Sequence, residues 1–389
     1  MKLRYGEPEE AGMSARRVRH VAQLARSWVE QGITPSLVVL AARRGIIVLH
    51  EAYGRVGLEP DAPVLRRDTI FPLSSLSKPI TATAAMILVE DGLLGLNRPV
   101  AEYIPEFAGE GKNAVMVHHL LTHTSGLRDE DLDAYAETKR GGVAIPPVDA
   151  TQHPLVHEEI FLRYGAPLWK APGVEMSYCN HGYELLGEIV RRLSGRSLAE
   201  FARERIFEPL GMEDTFFVVP DAVRPRIVRR PADAPDIDLD SLATQDTPWP
   251  SWGAFSTALD MAIFGQMFLN GGSYGETRIL SPATVAEMTR NQIPGIGAEF
   301  ILDQHFPEAG WGYGWSINGN KKSRLFGSLD SPATFEHGGS GGVNLWIDPV
   351  YELVGVYFSV VPRLKSDVAL DYDWCADLFT NTVTAAIVQ

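Results

Sequence analysis

Ser75 and Lys78, three residues apart in the run FPLSSLSKPI (Phe71–Ile80), are the pair best suited to covalent chemistry. A serine hydroxyl is a weak nucleophile until a neighbour takes its proton, and an amine does so once desolvation lowers its pKa. The extended segment Asp68–Phe71 leads into a Ser-rich turn and then an apolar run, Ile80–Val89, so Ser75 falls where a helix begins. Residues at i and i+3 share a helix face, and the unpaired N–H groups of a helix start favour developing negative charge. Four residues thus supply a nucleophile, a base and an anion site. Of the eight lysines, Lys78 alone has a serine three positions before it. An isolated S-x-x-K is nevertheless more often a capped helix start with a solvated lysine, so the assignment rests on companions downstream.

Tyr178-Cys179-Asn180 is the only Y-x-N in the chain and directly precedes an amphipathic stretch, Tyr183–Leu193. In an extended segment, the side chains of Tyr178 and Asn180 point the same way. A phenol beside a lysine ammonium is expected to have a lowered pKa and to relay protons, although a buried tyrosine next to an Asn cap would look the same. The third companion is His337-Gly338-Gly339-Ser340, ahead of the strand Val343–Ile347, where bare glycine backbone admits a close ligand and offers N–H donors. Gly338–Gly342 also spells G-x-S-x-G, but a nucleophile elbow needs a helix after the serine and a later histidine. A strand follows Ser340 and no histidine follows His337, so Ser340 is not read as a nucleophile.

In this order, S-x-x-K, Y-x-N and H-G-G resemble the motifs of the serine β-lactamase and DD-peptidase superfamily, specifically its class C-like branch and the family VIII carboxylesterases. The stretches LLTHTSGL (Leu120–Leu127), EPLGMEDT (Glu208–Thr215) and STALDMAIFGQMFLNGG (Ser256–Gly272) are similar to that family as well. The resemblance covers most of residues 14–361. It implies an acylated nucleophile at Ser75, a base at Lys78, a proton relay at Tyr178, and Asn180 orienting substrate and Lys78. It also implies an oxyanion hole from the backbone N–H groups of Ser75 and Ser340, with His337, Gly338 and Gly339 on the substrate. β-Lactamases and peptidases carry lysine where His337 stands. An unperturbed histidine is mostly neutral at pH 7, so esters are expected in preference to carboxylate-bearing substrates. Cleavage of anionic β-lactams would then improve only as pH falls toward the ordinary histidine value, near ~6.5.

The elements that must position these residues are legible from periodicity. Ser14 opens a helix with Val18, Val21, Ala25 and Trp28 on one face, and Leu37–Ala42 and Ile46–Glu51 read as a hairpin across Arg43-Arg44-Gly45. Residues 129–154 read as a long polar loop. A Ser197/Glu200 capping box and a Ser256 or Thr257 cap open later helices. Gly312–Ile317, Val343–Ile347 and Glu352–Val361 read as strands, and a last helix runs from Val368 to about Ile387. Strands at both ends with helices between them predict an α/β (α+β) fold, and the resemblance implies that it is of the β-lactamase/transpeptidase-like kind. In it an antiparallel sheet is flanked by terminal helices and carries an inserted, mainly helical domain. The expected division is a sheet domain of residues 1–70 and 255–389 and a helical domain of 71–254, with the active site between them.

At 389 residues the chain is long enough for two or three domains, and 45% hydrophobic and 22% charged residues are ordinary globular values. A formal charge of -14 argues against nucleic acid or an anionic membrane as partner. Acidic residues stand where a signal peptide would be apolar, no run approaches the ~18 apolar residues of a membrane span, and two cysteines suggest no disulfide framework, so a cytoplasmic location is expected. His118, His119 and His123 lack the Cys or carboxylate companions of a metal site and read as packing or loop residues. No metal or cofactor is called for. Trp169, Trp249, Trp252, Trp311 and Trp315 are candidates for the cleft. The expected activity is a serine hydrolase acting on small carboxylic esters. A β-lactamase, a D-aminopeptidase or DD-peptidase, or an acyltransferase are the alternatives, with a non-catalytic binding protein last. The oligomeric state is open.

Overall fold

In the computed structural model, which describes residues 1–59, 61–231, 237–300, 304–321, 327–360 and 369–389, strands from both ends of the chain share one sheet. Its order is Arg4–Tyr5, Ile46–Gly54, Ser36–Arg43, Leu353–Ser359, Val343–Asp348, Phe335–Gly339, Ser316–Ile317. All neighbours are antiparallel except the short Arg4–Tyr5 edge. The hairpin turn is Arg44-Gly45, with φ of 52° and 73°. Two consecutive left-handed residues match the right-handed twist of the strands they join.

Strand alternation sends successive side chains to opposite faces. Val38, Leu40, Ala42, Val343, Leu345, Ile347, Val354, Val356 and Phe358 lie in the core shared with the helices Ala258–Leu269 and Lys78–Glu90. Leu37, Val39, Ala41, Trp346, Leu353 and Tyr357 lie in a second core under the terminal helices Ala15–Glu30 and Ala369–Thr384, against Trp28 and Phe379. The architecture is the mixed α/β one expected from the sequence, a mostly antiparallel sheet flanked by the terminal helices.

The Lys78–Glu90 helix is apolar nearly all round and is buried from Lys78 through Leu88, as an interior helix must be. Its hydroxyls are satisfied within the core, Thr81 Oγ1 by Pro250 O at 2.6 Å and Thr83 Oγ1 by Pro79 O at 2.8 Å. A turn of 3-10 helix, Ser74–Ser77, precedes it.

Several expectations need correction. The polar stretch after residue 128 is not all loop, because Asp129–Lys139 is a helix with three acidic residues in its first turn, where they oppose the helix dipole favourably. The helix after Tyr178 begins at Asn180 rather than at Tyr183. Of Gly312–Ile317 only Ser316–Ile317 is strand. A small sheet of Gln304–Phe306, Ala298–Phe300 and Met176–Ser177 was not anticipated. The expected ends at Val361 and Val368 fall outside the described residues.

Trp346 and Gly355 are cross-strand partners, and a Cβ on Gly355 would lie 2.0 Å from Trp346 Cζ2. The indole occupies the space over the glycine and reaches Phe379 edge-on at 5.6 Å. Gly355→Ala should therefore displace that indole and destabilise the protein by about 1–3 kcal/mol, the usual cost of overpacking. Thermal melting would check this, and an unchanged Tm would show that the indole can move freely.

Candidate active site

From Phe71 to Leu88, Ser75 is the only residue that is not buried. The turn presenting it is held from several sides. Leu73 N donates to Ala254 O at 2.7 Å, Ser77 Oγ donates to Ser74 O at 2.7 Å, and Ala254 N donates to Ser77 Oγ at 2.9 Å. Ser74 takes a left-handed φ of 48°, a conformation that costs a non-glycine residue and persists only where its surroundings enforce it.

Lys78 Nζ is fully buried and donates to Ser75 Oγ at 3.1 Å, Asn180 Oδ1 at 2.7 Å and Ser251 O at 3.0 Å. Burial lowers its pKa from the ordinary 10.5 to about 7, against the pull of the Asp129 and Glu184 carboxylates. A neutral amine one hydrogen bond from a serine hydroxyl is competent to take its proton.

Cys179 is extended, at φ -132° and ψ 115°, which turns Tyr178 and Asn180 toward the same side. The Lys78 amine sits 4.7 Å from the centre of the Tyr178 ring, and the Tyr178 hydroxyl hydrogen-bonds Ser75. The expected lowering of the phenol pKa does not occur. Burial raises it, and the bond to Ser75 offsets only part of that rise. Tyr178 is therefore a neutral phenol, suited to passing a proton and not to standing as a phenolate.

His337, Gly338 and Gly339 lie on the strand Phe335–Gly339 beside the turn. A Cβ on Gly339 would fall 2.2 Å from Leu73 O, so only glycine lets this strand end approach the chain leading to Ser75. Beyond it, exposed Ser340 faces Ser74, with Oγ to Oγ at 2.9 Å. His337 differs from expectation in its environment. The ring is buried, Nδ1 lies 2.7 Å from Gly338 O, and burial with the nearby Lys78 lowers its pKa to about 3. Acidification to pH 6 does not charge it.

Two contributors, Asp129 and Glu184, escaped the sequence reading, and a third, His123, was read there only as a packing or loop residue. Asp129 Oδ2 accepts from Asn180 N at 2.8 Å and Asn180 Nδ2 at 2.9 Å, which turns Asn180 Oδ1 toward Lys78. Its Oδ1 accepts from Cys179 Sγ at 3.1 Å and His181 N at 3.3 Å. Glu184 holds Ser251, whose carbonyl receives Lys78. His123 clamps Tyr178 from both sides, since its carbonyl accepts from Ser177 N at 2.9 Å and its Nδ1 from Cys179 N at 3.0 Å. Its ring stacks on Tyr178 at 4.4 Å, and accepting at Nδ1 requires the neutral form with the proton on Nε2. His118 and His119 serve loop geometry at Leu96 O and Met116 N.

Among the tryptophans, Trp311 meets His123, Tyr178 and His337 edge-on. Trp315 belongs to the core with Phe264, Phe268 and Phe335. Trp249 and Trp252 stack on each other beside Ser251, and the Trp169 ring meets the Arg128 and Lys170 cations at 4.9 and 4.0 Å. Among the described residues no cluster of His, Cys, Asp or Glu is arranged for a metal, and no helix is long and apolar enough to cross a membrane.

The fold is that of the serine β-lactamase/transpeptidase class of enzymes. The Beta-lactamase family model matches residues 21–374, and the chain belongs to that family. A Salmonella enteritidis protein named for D-alanyl-D-alanine carboxypeptidase activity is 26% identical over 397 residues, covering 93% of this chain and 86% of its own. The crystal structure of a penicillin-binding protein homologue from Caulobacter crescentus superposes with a TM-score of 0.75 at 22% identity, covering 96% of this chain and 99% of the other. That of a family VIII carboxylesterase superposes at 0.72 and 22%, covering 95% and 99%. At these identities the two structures bear on the fold alone.

His123→Phe keeps a ring against Tyr178 but removes the acceptor for Cys179 N–H. Turnover should fall by about tenfold to a hundredfold, the cost of misplacing a reacting group by about 1 Å, with KM changing much less. Steady-state kinetics on the folded variant would check this. Undiminished kcat would reduce His123 to a packing residue.

Proposed function

We propose that this protein is a serine esterase that cleaves small neutral carboxylic esters through an acyl-Ser75 intermediate. The neutral Lys78 amine takes the Ser75 proton as Oγ bonds to the ester carbonyl carbon. The tetrahedral oxyanion is met by the backbone N–H groups of Ser75 and Ser340, donors that contribute about 3 kcal/mol each at such sites. Collapse expels the alkoxide, which receives the proton through Tyr178. Water, deprotonated through the same groups, then attacks the acyl carbon, releasing the acid and restoring Ser75. Asn180 holds Lys78 in register throughout, and Gly338 and Gly339 admit the substrate along the strand edge.

The observation that carries the ester reading is the state of His337. A buried imidazole bonded to Gly338 O and held neutral offers no cation to a substrate carboxylate. The Salmonella relative's name favours a second reading, a D-alanyl-D-alanine carboxypeptidase, whose substrates end in a carboxylate.

The test is a panel of p-nitrophenyl esters beside nitrocefin and a D-Ala-D-Ala peptide. The best short ester should exceed both others in kcat/KM by at least about tenfold, and mass spectrometry after a fluorophosphonate should find the adduct on Ser75. Peptide or nitrocefin turnover rivaling the best ester would overturn the esterase reading in favour of the peptidase or β-lactamase. An adduct on Ser340 would overturn the site.

pH supplies an independent check. Lys78 is a base only when unprotonated, so ester kcat/KM should rise with pH through a midpoint near its pKa of about 7. Nitrocefin turnover should not improve on acidification, because His337 stays neutral down to about 3.

A further inference from the structure

We infer that Glu184 is a positioning residue for the reaction, holding Ser251 against Lys78 and balancing the charge that Lys78 acquires when it takes the Ser75 proton. The inference rests on the reading of Lys78 as the base. Asn180 and Glu184 are four residues apart and so share one face of the Asn180–Ser194 helix, the face toward Lys78. Glu184 Oε1 accepts from both the hydroxyl and the backbone N–H of Ser251, and Ser251 O accepts from Lys78 Nζ at 3.0 Å. Glu184 Oε2 is buried and takes no hydrogen bond from any described residue. A carboxylate at 7% exposure with an unbonded oxygen is costly to keep, and a glutamine would hold Ser251 equally well through its carbonyl oxygen. What glutamate alone adds is a charge.

The charges acting on Glu184 come from two neighbouring helices, Lys78 on Lys78–Glu90 and Asp129 on Asp129–Lys139. Other elements packed on its helix engage different groups. Arg163 and Lys112 act on His181, His118 and His119 bond Leu96 O and Met116 N, and Glu200 caps Ser197. On its own helix, Glu188 is bound by Arg191, Arg192 and Gln152. Lys78 is thus the cation that Glu184 faces. Burial raises the Glu184 pKa to about 7, and the nearby Lys78 works against that rise.

An ionised Glu184 favours the ammonium form of Lys78. Removing that charge should make Lys78 lose its proton at lower pH and should also weaken it as a base. The experiment is the rate of Ser75 phosphonylation by a fluorophosphonate across roughly pH 5–9, in the wild type and in Glu184→Gln, with melting curves to confirm folding. The acid-limb midpoint should move down by about one pH unit, and the alkaline plateau should fall by up to about tenfold. Ser251→Ala, which removes a donor to the carboxylate but keeps the carbonyl facing Lys78, should move the midpoint the same way by less. It carries the test if Glu184→Gln does not fold. A purely structural role would lower the rate at every pH without moving the midpoint, and that result in a folded variant overturns the inference. Failure of the underlying reading shows itself separately, as a wild type that forms no Ser75 adduct.

Discussion

Lys78 is a cation by default, placed where water cannot reach it, and much of the surrounding structure answers that one constraint. An isolated buried ammonium would cost far more than a folded domain can sustain, so the group either finds partners or gives up its proton. Here it does both. Its three acceptors come from three separate segments, Ser75 on its own turn, Asn180 at the start of another helix and Ser251 in the loop before Ala254. Each acceptor is anchored in turn: Asn180 by Asp129, Ser251 by Glu184, and Ser75 by the Leu73 and Ser77 bonds to Ala254. Because one amine joins these segments, an error in placing any of them would reach Ser75 directly.

Beside this amine stands a group of aromatic and imidazole rings. Tyr178 lies among His123, Trp311 and His337, and both imidazoles are held neutral by burial and by proximity to Lys78. Low local dielectric strengthens hydrogen bonds to developing charge, while a permanent ionic partner for substrate is missing from this set of rings. A buried ammonium at position 337 would raise the potential at Lys78 and depress its pKa further, so the identity of this residue bears both on what the cleft could bind and on how basic its amine would be.

The fold was largely legible because alternation along strands and caps at helix starts are local signals. Ser14, Ser197 and Thr257 do cap the helices that follow them, and Leu37–Ala42 alternates between two cores as its pattern requires. The supporting residues were hidden because their partners are distant in sequence. Asp129 is 51 residues from Asn180 and looks like one more surface acid in DEDLD. His123 sits 56 residues from Cys179, in a turn that reads as ordinary loop. Glu184 did carry a signal, since its i, i+4 relation to Asn180 put it on the face of a proposed site residue. The long-loop reading of 129–154 holds for 140–153 and failed over 129–139 because acidic residues that disfavour a helix interior are favourable in a first turn, which is where Asp129, Glu130 and Asp131 stand.

Asp129 and Glu184 are both carboxylates near one amine, yet they do different work. Asp129 has both oxygens occupied by N–H and S–H donors at the start of the Asn180–Ser194 helix, so it fixes geometry there. Glu184 keeps an unbonded oxygen, and its charge is the one left to respond. The sign of that response follows from linkage. Lys78, lowered from 10.5 to about 7, leaves the unfolded chain holding more protons between those values, so its contribution to stability rises with pH across that window. Glu184, raised from 4.5 to about 7, leaves the folded chain holding more, so its contribution falls as pH rises from 4.5 to about 7. The two windows meet near 7, where the pair is most costly to bury and where its protons are also most easily exchanged. A base that must accept and return a proton in every cycle works best where neither state is strongly preferred. The cost of burying these two groups and the proton transfer proposed for Lys78 would therefore arise from the same near-balance of free energies.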